Sequence, residues 1–204
     1  MPLTPEEFFD NATSLGDDQE RRAIAALAQW EPFPFDPEGL HLVPLRRAEL
    51  PERERHDEDP ATCRSCAATD GLLVWQDASW RLIATEEPSG APLVLLLLPK
   101  EHFDFADLPD DLAAQLGQII VHLGRAVESL EHIARAHVSR WGDGGAHLHI
   151  FIFARPEGFV QLRGSFFLVW DDLLAPVPRA IRDADAHRVG ALLAKSYGGT
   201  ANAL

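Results

Sequence analysis

The sequence predicts an α+β domain, an antiparallel sheet of about five strands covered by one long helix and preceded by an N-terminal helical extension. Three observations carry this. Leu72–Trp75 and Trp80–Ile83 flank the four residues Gln76 to Ser79 as a hairpin would, with an Asp and a Ser in the turn. Apolar residues at Leu112, Leu116, Ile119, Leu123, Val127, Leu130 and Ile133 recur with helical spacing from Pro109 almost to Val138. His147 to Phe153 alternates in character and is dense in β-branched and aromatic residues, as a core strand is.

The remaining elements follow in chain order. Thr4-Pro5-Glu6-Glu7 has capping-box spacing, with Pro at the first helical position, so a short helix starts there. A second helix begins near Asp17 or Asp18 and runs to about Trp30, where Pro32 and Pro34 end it. Arg46 to Pro60 is mostly charged and reads as a solvated connector, so the main domain starts near its end. Leu93 to Leu98 is apolar on both faces, as expected for a central strand covered on each side. Phe166 to Trp170 adds a candidate strand, and Ala186 to Tyr197 a terminal helix stopped by Gly198 and Gly199.

Composition narrows the function classes. With 204 residues, 46% apolar and 25% charged, the chain can close a real core but is short for two domains. Its 18 basic against 32 acidic residues leave a net charge of −14, which argues against a nucleic-acid or anionic-membrane surface. A small phosphorylated ligand in a locally basic pocket stays compatible with it. The longest apolar run is far below the ~20 residues of a membrane-spanning helix. The acidic start, Met-Pro-Leu-Thr-Pro-Glu-Glu, is unlike a secretory signal, and the expected location is cytoplasmic. In such a compartment the two cysteines, Cys63 and Cys66, form a Cys-x-x-Cys pair that reads as a metal site, a redox pair or two free thiols.

His147 and His149 fall on one face of their strand together with Phe151 and Phe153. Buried imidazoles need hydrogen-bond partners, so two of them on an apolar strand point to function, the alternative being a wet sheet edge. Gly142, Gly144 and Gly145 precede them, and glycines let backbone amides approach a phosphate closely. Arg155 and Arg140 have guanidinium forks suited to phosphate oxygens. Trp75 and Trp80 read as core residues, and His41, His56, His122, His132, His137 and His187 as exposed or loop residues.

Several motifs together resemble the histidine triad (HIT) superfamily: Cys63-Arg64-Ser65-Cys66, Val74-Trp75-Gln76-Asp77, Ala91-Pro92 before an apolar strand ending in Pro99-Lys100-Glu101-His102, a long helix, and Gly142-Asp143-Gly144-Gly145-Ala146-His147-Leu148-His149. The match spans about Thr62 to Pro156. The family pattern is His-x-His-x-His, or His-x-His-x-Gln in the galactose-1-phosphate uridylyltransferase branch. The resemblance therefore implies that His149 is the nucleophile toward a nucleotide α-phosphate, while Phe151 stands at the third position and cannot donate to a phosphate oxygen. It also implies that Cys63, Cys66, His102 and His147 hold a structural zinc, and that the protein forms a homodimer. The domain division is then 1–58 for the helical extension and charged connector, 59–175 for the HIT-like domain and 176–204 for a C-terminal helical segment. Two readings stay open at this stage: a nucleotide hydrolase or nucleotidyl transferase, and a catalytically silent sensor or interaction module with a structural zinc.

Overall fold

In a computed structural model, residues 4–13, 24–36, 38, 40, 43, 45–67 and 72–202 are described. Helix α1 (Pro5–Ala12) has the capping box its sequence predicts: Thr4 Oγ1 accepts from the Glu7 amide at 3.2 Å and the Thr4 amide donates to Glu7 Oε2 at 2.7 Å. Residues 24–28 are helical, and the predicted start of that helix at Asp17 or Asp18 lies outside the described residues. The one-turn helix α2 (Arg64–Ala67) follows.

Among the described residues six strands form one sheet: β1 (Leu72–Gln76), β2 (Trp80–Ala84), β3 (Val94–Pro99), β4 (Ile133–Ser139), β5 (Ile150–Pro156) and β6 (Thr200–Ala201). Their order is β4-β5-β3-β2-β1-β6, and every pairing is antiparallel. The β1–β2 turn is closed by Asp77, whose Oδ1 accepts from the amides of Ser79 at 2.8 Å and Trp80 at 2.6 Å.

Two helices cover one sheet face, α3 (Asp110–Glu128) and α5 (Arg179–Ser196). Ile119 and Leu123 from α3 and Val189 and Leu193 from α5 pack on Trp75, Leu82, Leu95 and Ile152 to make the main core. Trp75 and Trp80 are fully buried, as expected. The opposite face carries a smaller cluster of Ala91, Val94, Phe153, Leu162 and Phe167, contributed in part by α4 (Phe166–Leu173). No helix among the described residues is long and apolar enough to cross a membrane.

The helix predicted to run to Val138 ends at Glu128, and 133–139 is strand β4 instead. No glycine or proline marks the break. His132 takes a positive φ of 63° at the turn, and Leu130 and Ile133 still point to the core, so the apolar spacing runs through a change of element unaltered. Phe166 to Trp170 is helix rather than strand: Phe167 and Trp170 cover the sheet rather than extending it, while Phe166 packs on Trp30 and Phe33. The predicted strand from His147 begins at Ile150, and the terminal helix starts earlier, at Arg179. His187 is buried on α5 with Nδ1 against the Asn202 carbonyl at 2.9 Å, not exposed.

At Gly190, α5 approaches β1 so closely that a Cβ would stand 2.5 Å from the Val74 carbonyl oxygen. Backbone cannot yield as a side chain does, so Gly190→Ala is expected to destabilise the fold by about 1–3 kcal/mol, seen as a lower urea midpoint. An unchanged midpoint would mean that α5 slides freely on β1.

Candidate metal centre and histidine site

Four side chains distant in sequence meet at one end of the sheet. Cys63 immediately precedes α2 and Cys66 lies within it, His102 follows the end of β3 and His147 precedes β5. Their donor atoms all lie within 4.8 Å of one another. His147 Nδ1 is 3.5 Å from Cys63 Sγ and 3.4 Å from Cys66 Sγ, and His102 Nδ1 is 3.4 Å from Cys66 Sγ. Zinc bonds of ~2.3 Å to sulfur and ~2.0–2.1 Å to nitrogen at tetrahedral angles place S and N ~3.5 Å apart. The observed separations match that edge, and a Cys2His2 set closes all four positions of a tetrahedron, so the residues fit a zinc ion.

The surroundings orient these side chains. His147 Nε2 donates to the Pro99 carbonyl at 3.0 Å, which directs Nδ1 as the lone-pair atom toward the thiols. Burial holds this imidazole below its ordinary pKa, against the opposing pull of the Pro99 bond, so the ring is kept neutral as a ligand must be. Without a metal, burial first and Cys63 second push the Cys66 thiol up to about 11. The loop between the cysteines is fixed by Arg81 of β2, which donates to the Ser65 carbonyl, and by Asp57, whose Oδ1 accepts from the Arg64 amide at 2.9 Å.

His149 is half-buried beside this cluster and is not part of it. Its Nδ1 lies 2.9 Å from the His147 carbonyl. A carbonyl only accepts, so Nδ1 carries the proton and Nε2 of the neutral ring carries the lone pair. Among the described residues no protein group bonds Nε2. Phe151 meets the imidazole edge-on at 5.4 Å.

Residues 46–60 do not behave as a purely solvated connector. Arg55 Nη1 donates to the Gly142 carbonyl at 3.0 Å and to Asp104 Oδ2 at 2.7 Å. The His56 amide donates to the Gly144 carbonyl at 3.1 Å, and the His56 carbonyl accepts from Ala146 at 2.9 Å. The glycine loop is thus clamped through its carbonyls, and the amides of Gly142, Gly144 and Gly145 have no acceptor among the described residues. Arg140 lies against Gly142, where a Cβ would stand 2.4 Å from its guanidinium, and shares Asp104 with Arg55 through a 2.8 Å bond.

Arg155 is six residues along the chain from His149, ~20 Å of extended strand, and bonds the Pro156 and Phe159 carbonyls at 3.2 and 3.3 Å. The structure therefore does not bring it to His149. Arg55 and Arg140 are the cations beside the loop. Arg55 and Asp104 escaped the sequence reading because Arg55 meets its loop partner 87 residues away, which no local pattern records.

No family model matches the chain, and no curated protein matches it in sequence. Solved structures do resemble it. A zinc-bound histidine triad family protein from Mycobacterium smegmatis matches at TM-score 0.50 and 19% identity, over 67% of this chain and 96% of its own. A HIT-like protein involved in cell-cycle regulation from Bartonella henselae matches at TM-score 0.50 and 16% identity, over 68% of this chain and 99% of its own. At these identities the likeness is one of fold: the chain has the histidine triad fold.

Proposed function

We propose that this chain is a zinc-containing, nucleotide-binding protein that acts through a covalent nucleotidyl-His149 as a hydrolase or nucleotidyl transferase. The observation that carries this reading is the orientation of His149, whose Nδ1 is occupied by the His147 carbonyl while Nε2 keeps its lone pair. Cys63, Cys66, His102 and His147 would hold the zinc, which supplies a cross-link between three chain segments when bound.

His149 Nε2 attacks the α-phosphorus, forming an N–P bond as the bond to the leaving group breaks and that group departs with its electron pair and takes up a proton. Water, or an acceptor hydroxyl in a transferase, then attacks phosphorus; its proton goes to solvent, and His149 leaves as the neutral ring. Gly142, Gly144 and Gly145 contribute backbone amides toward the phosphate oxygens, and Arg140 and Arg55 supply positive charge beside that loop. Arg155, assigned to phosphate from the sequence, would have to leave its carbonyl partners to take part.

Phe151 favours a second reading, a silent sensor or interaction module, because it offers no hydrogen bond where the family pattern has His or Gln. Mass spectrometry after incubation with nucleoside phosphoramidates and dinucleotides separates the two. A nucleotidyl adduct on His149 supports the enzyme; nucleotide binding without adduct or turnover supports the module.

The homodimer implied by the resemblance would continue the sheet across a two-fold axis, and β4 is an edge strand. Light scattering at micromolar concentration should then give about twice the 22.6 kDa chain mass, and a monomer would remove the dimer from the proposal.

A further inference from the structure

Residues 55–57 bond the glycine loop and the cysteine turn at once. On the loop side, Arg55 Nη1 donates to the Gly142 carbonyl at 3.0 Å, the His56 amide to the Gly144 carbonyl at 3.1 Å, and the Ala146 amide to the His56 carbonyl at 2.9 Å. His56 and Gly145 thereby pair as an isolated parallel bridge outside the sheet. On the metal side, Asp57 Oδ1 accepts at 2.9 Å from the amide of Arg64, which lies between Cys63 and Cys66. All three residues precede Thr62, where the resemblance to the histidine triad pattern begins, so they belong to this chain's own extension.

Asp57 suits the junction. Its φ of 62° lies in the left-handed region, which Asp, Asn and Gly adopt most readily. That bend turns its carboxylate, 12% exposed, inward between the two partners. Oδ1 meets the Arg64 amide, while Oδ2 stands 3.8 Å from the point a Cβ on Gly145 would occupy. The His149 ring is 4.0 Å from the same point, so Gly145 borders both the connector carboxylate and the candidate nucleophile.

Metal at the cysteines bears on Asp57 through that one amide. Helix α2 is a single turn of four residues, too short to persist on its own. Zinc on Cys63 and Cys66 therefore fixes where the Arg64 amide points, and the amide holds Asp57. The glycine loop also runs straight into His147, so its far end follows the metal through the chain itself. Its near end, Gly142 to Gly144, is where Arg55 and His56 attach.

We propose that Asp57 is a positioning residue and that residues 55–57 form a strut through which the metal centre holds the glycine loop beside His149. Zinc binding and the loop clamp are then coupled. By linkage, whatever factor zinc adds to the clamp, the clamp adds to zinc affinity. The strut needs the metal centre but not the nucleotide chemistry of His149.

Amide hydrogen exchange in the zinc-loaded and zinc-free chain, well below both melting temperatures, reads the clamp at the His56 and Ala146 amides. Removing zinc should speed both by about tenfold relative to amides of the β2–β3 ladder, which report on the fold as a whole. Two variants at position 57 assign the effect. Asp57→Gly keeps the left-handed backbone without the carboxylate, and with zinc bound its clamp should exchange as fast as that of the zinc-free wild type. Asp57→Asn keeps the backbone and the Oδ1 acceptor, and should exchange as slowly as the zinc-loaded wild type. This comparison within the zinc-loaded state holds even where the metal-free chain fails to fold. Arg55→Ala removes a group bonded to Glu58, Asp104 and Gly142, none of them a metal donor, yet it should weaken zinc about fivefold in competition with a chromophoric chelator. Wild-type protection in zinc-loaded Asp57→Gly would overturn the strut and leave the loop tied to the metal through His147 alone. Clamp amides indifferent to zinc, or zinc affinity indifferent to Arg55, would overturn it as well, and a chain that binds no zinc would overturn it together with the metal centre. The His149 adduct is read separately, so its absence removes the nucleotide reading and leaves the strut standing.

Discussion

Stripping zinc from the loaded chain with a strong chelator is expected to lower its melting temperature by about 10 °C. A ligand present at ~1,000 times its Kd contributes ~4 kcal/mol to the folded state, and a chain of this size shifts by ~2–4 °C per kcal/mol. The site is placed to have that leverage, because Cys63 and Cys66 precede β1, His102 follows β3 and His147 precedes β5. Cys63→Ser should reproduce the loss without chelator and then respond to chelator much less than the wild type, with bound zinc falling from one per chain to near none. An unaltered wild-type melting temperature after verified removal of the metal would refute a structural role.

The same centre has a pH signature. Metal binding requires both thiols to lose their protons, so affinity falls as pH falls. The metal-free chain behaves in the opposite sense. Its Cys66 is raised from the ordinary 9.0 to about 11 by burial and by Cys63, so the folded state favours the neutral thiol. This contribution to stability is complete below pH 9 and is lost as the pH rises through about 11. Zinc should therefore protect the chain most on the alkaline side.

The Cys63, Cys66, His102 and His147 cluster was reachable in the sequence only through the resemblance. Cys-x-x-Cys is local but leaves a metal site, a redox pair and two free thiols open, and the order of the family's motifs is what joined His102 and His147 to it. The end of α3 was not legible. A helix and the strand that returns under it both turn apolar residues to the same core, and the turn uses His132 at positive φ where a glycine would have signalled it. Phe166 to Trp170 misled for a related reason: a run of bulky apolar residues is compatible with a strand in a sheet or a helix lying on one, and only tertiary packing decides. The clamp of Arg55 and His56 on the glycine loop was hidden by composition, since a run of charges reads as solvated until one of them finds a partner far along the chain.

Replacing His149 by Ala is expected to abolish turnover, by at least ~10³-fold in kcat, with zinc content and melting temperature unchanged. Geometry occupies the other two imidazoles of the centre. His147 Nε2 is engaged by Pro99 and its Nδ1 faces the thiols, so neither nitrogen can reach a phosphate while the centre is formed. His102 Nδ1 is turned to Cys66 in the same centre. His149 uses only Nδ1 within the chain, and its half-buried setting beside Phe151 and the glycine loop gives Nε2 access without full exposure. Phe151→His then distinguishes a lost catalytic group from a gained packing one. If the third position limits the chemistry, this variant raises a weak phosphoramidate hydrolysis through a new hydrogen bond to the phosphate, and His149→Ala in the same background removes the gain. Turnover that survives His149→Ala at the wild-type rate would take His149 out of the chemistry and exclude the silent module as well, whereas a wild type that binds nucleotide without turnover or adduct would favour that module.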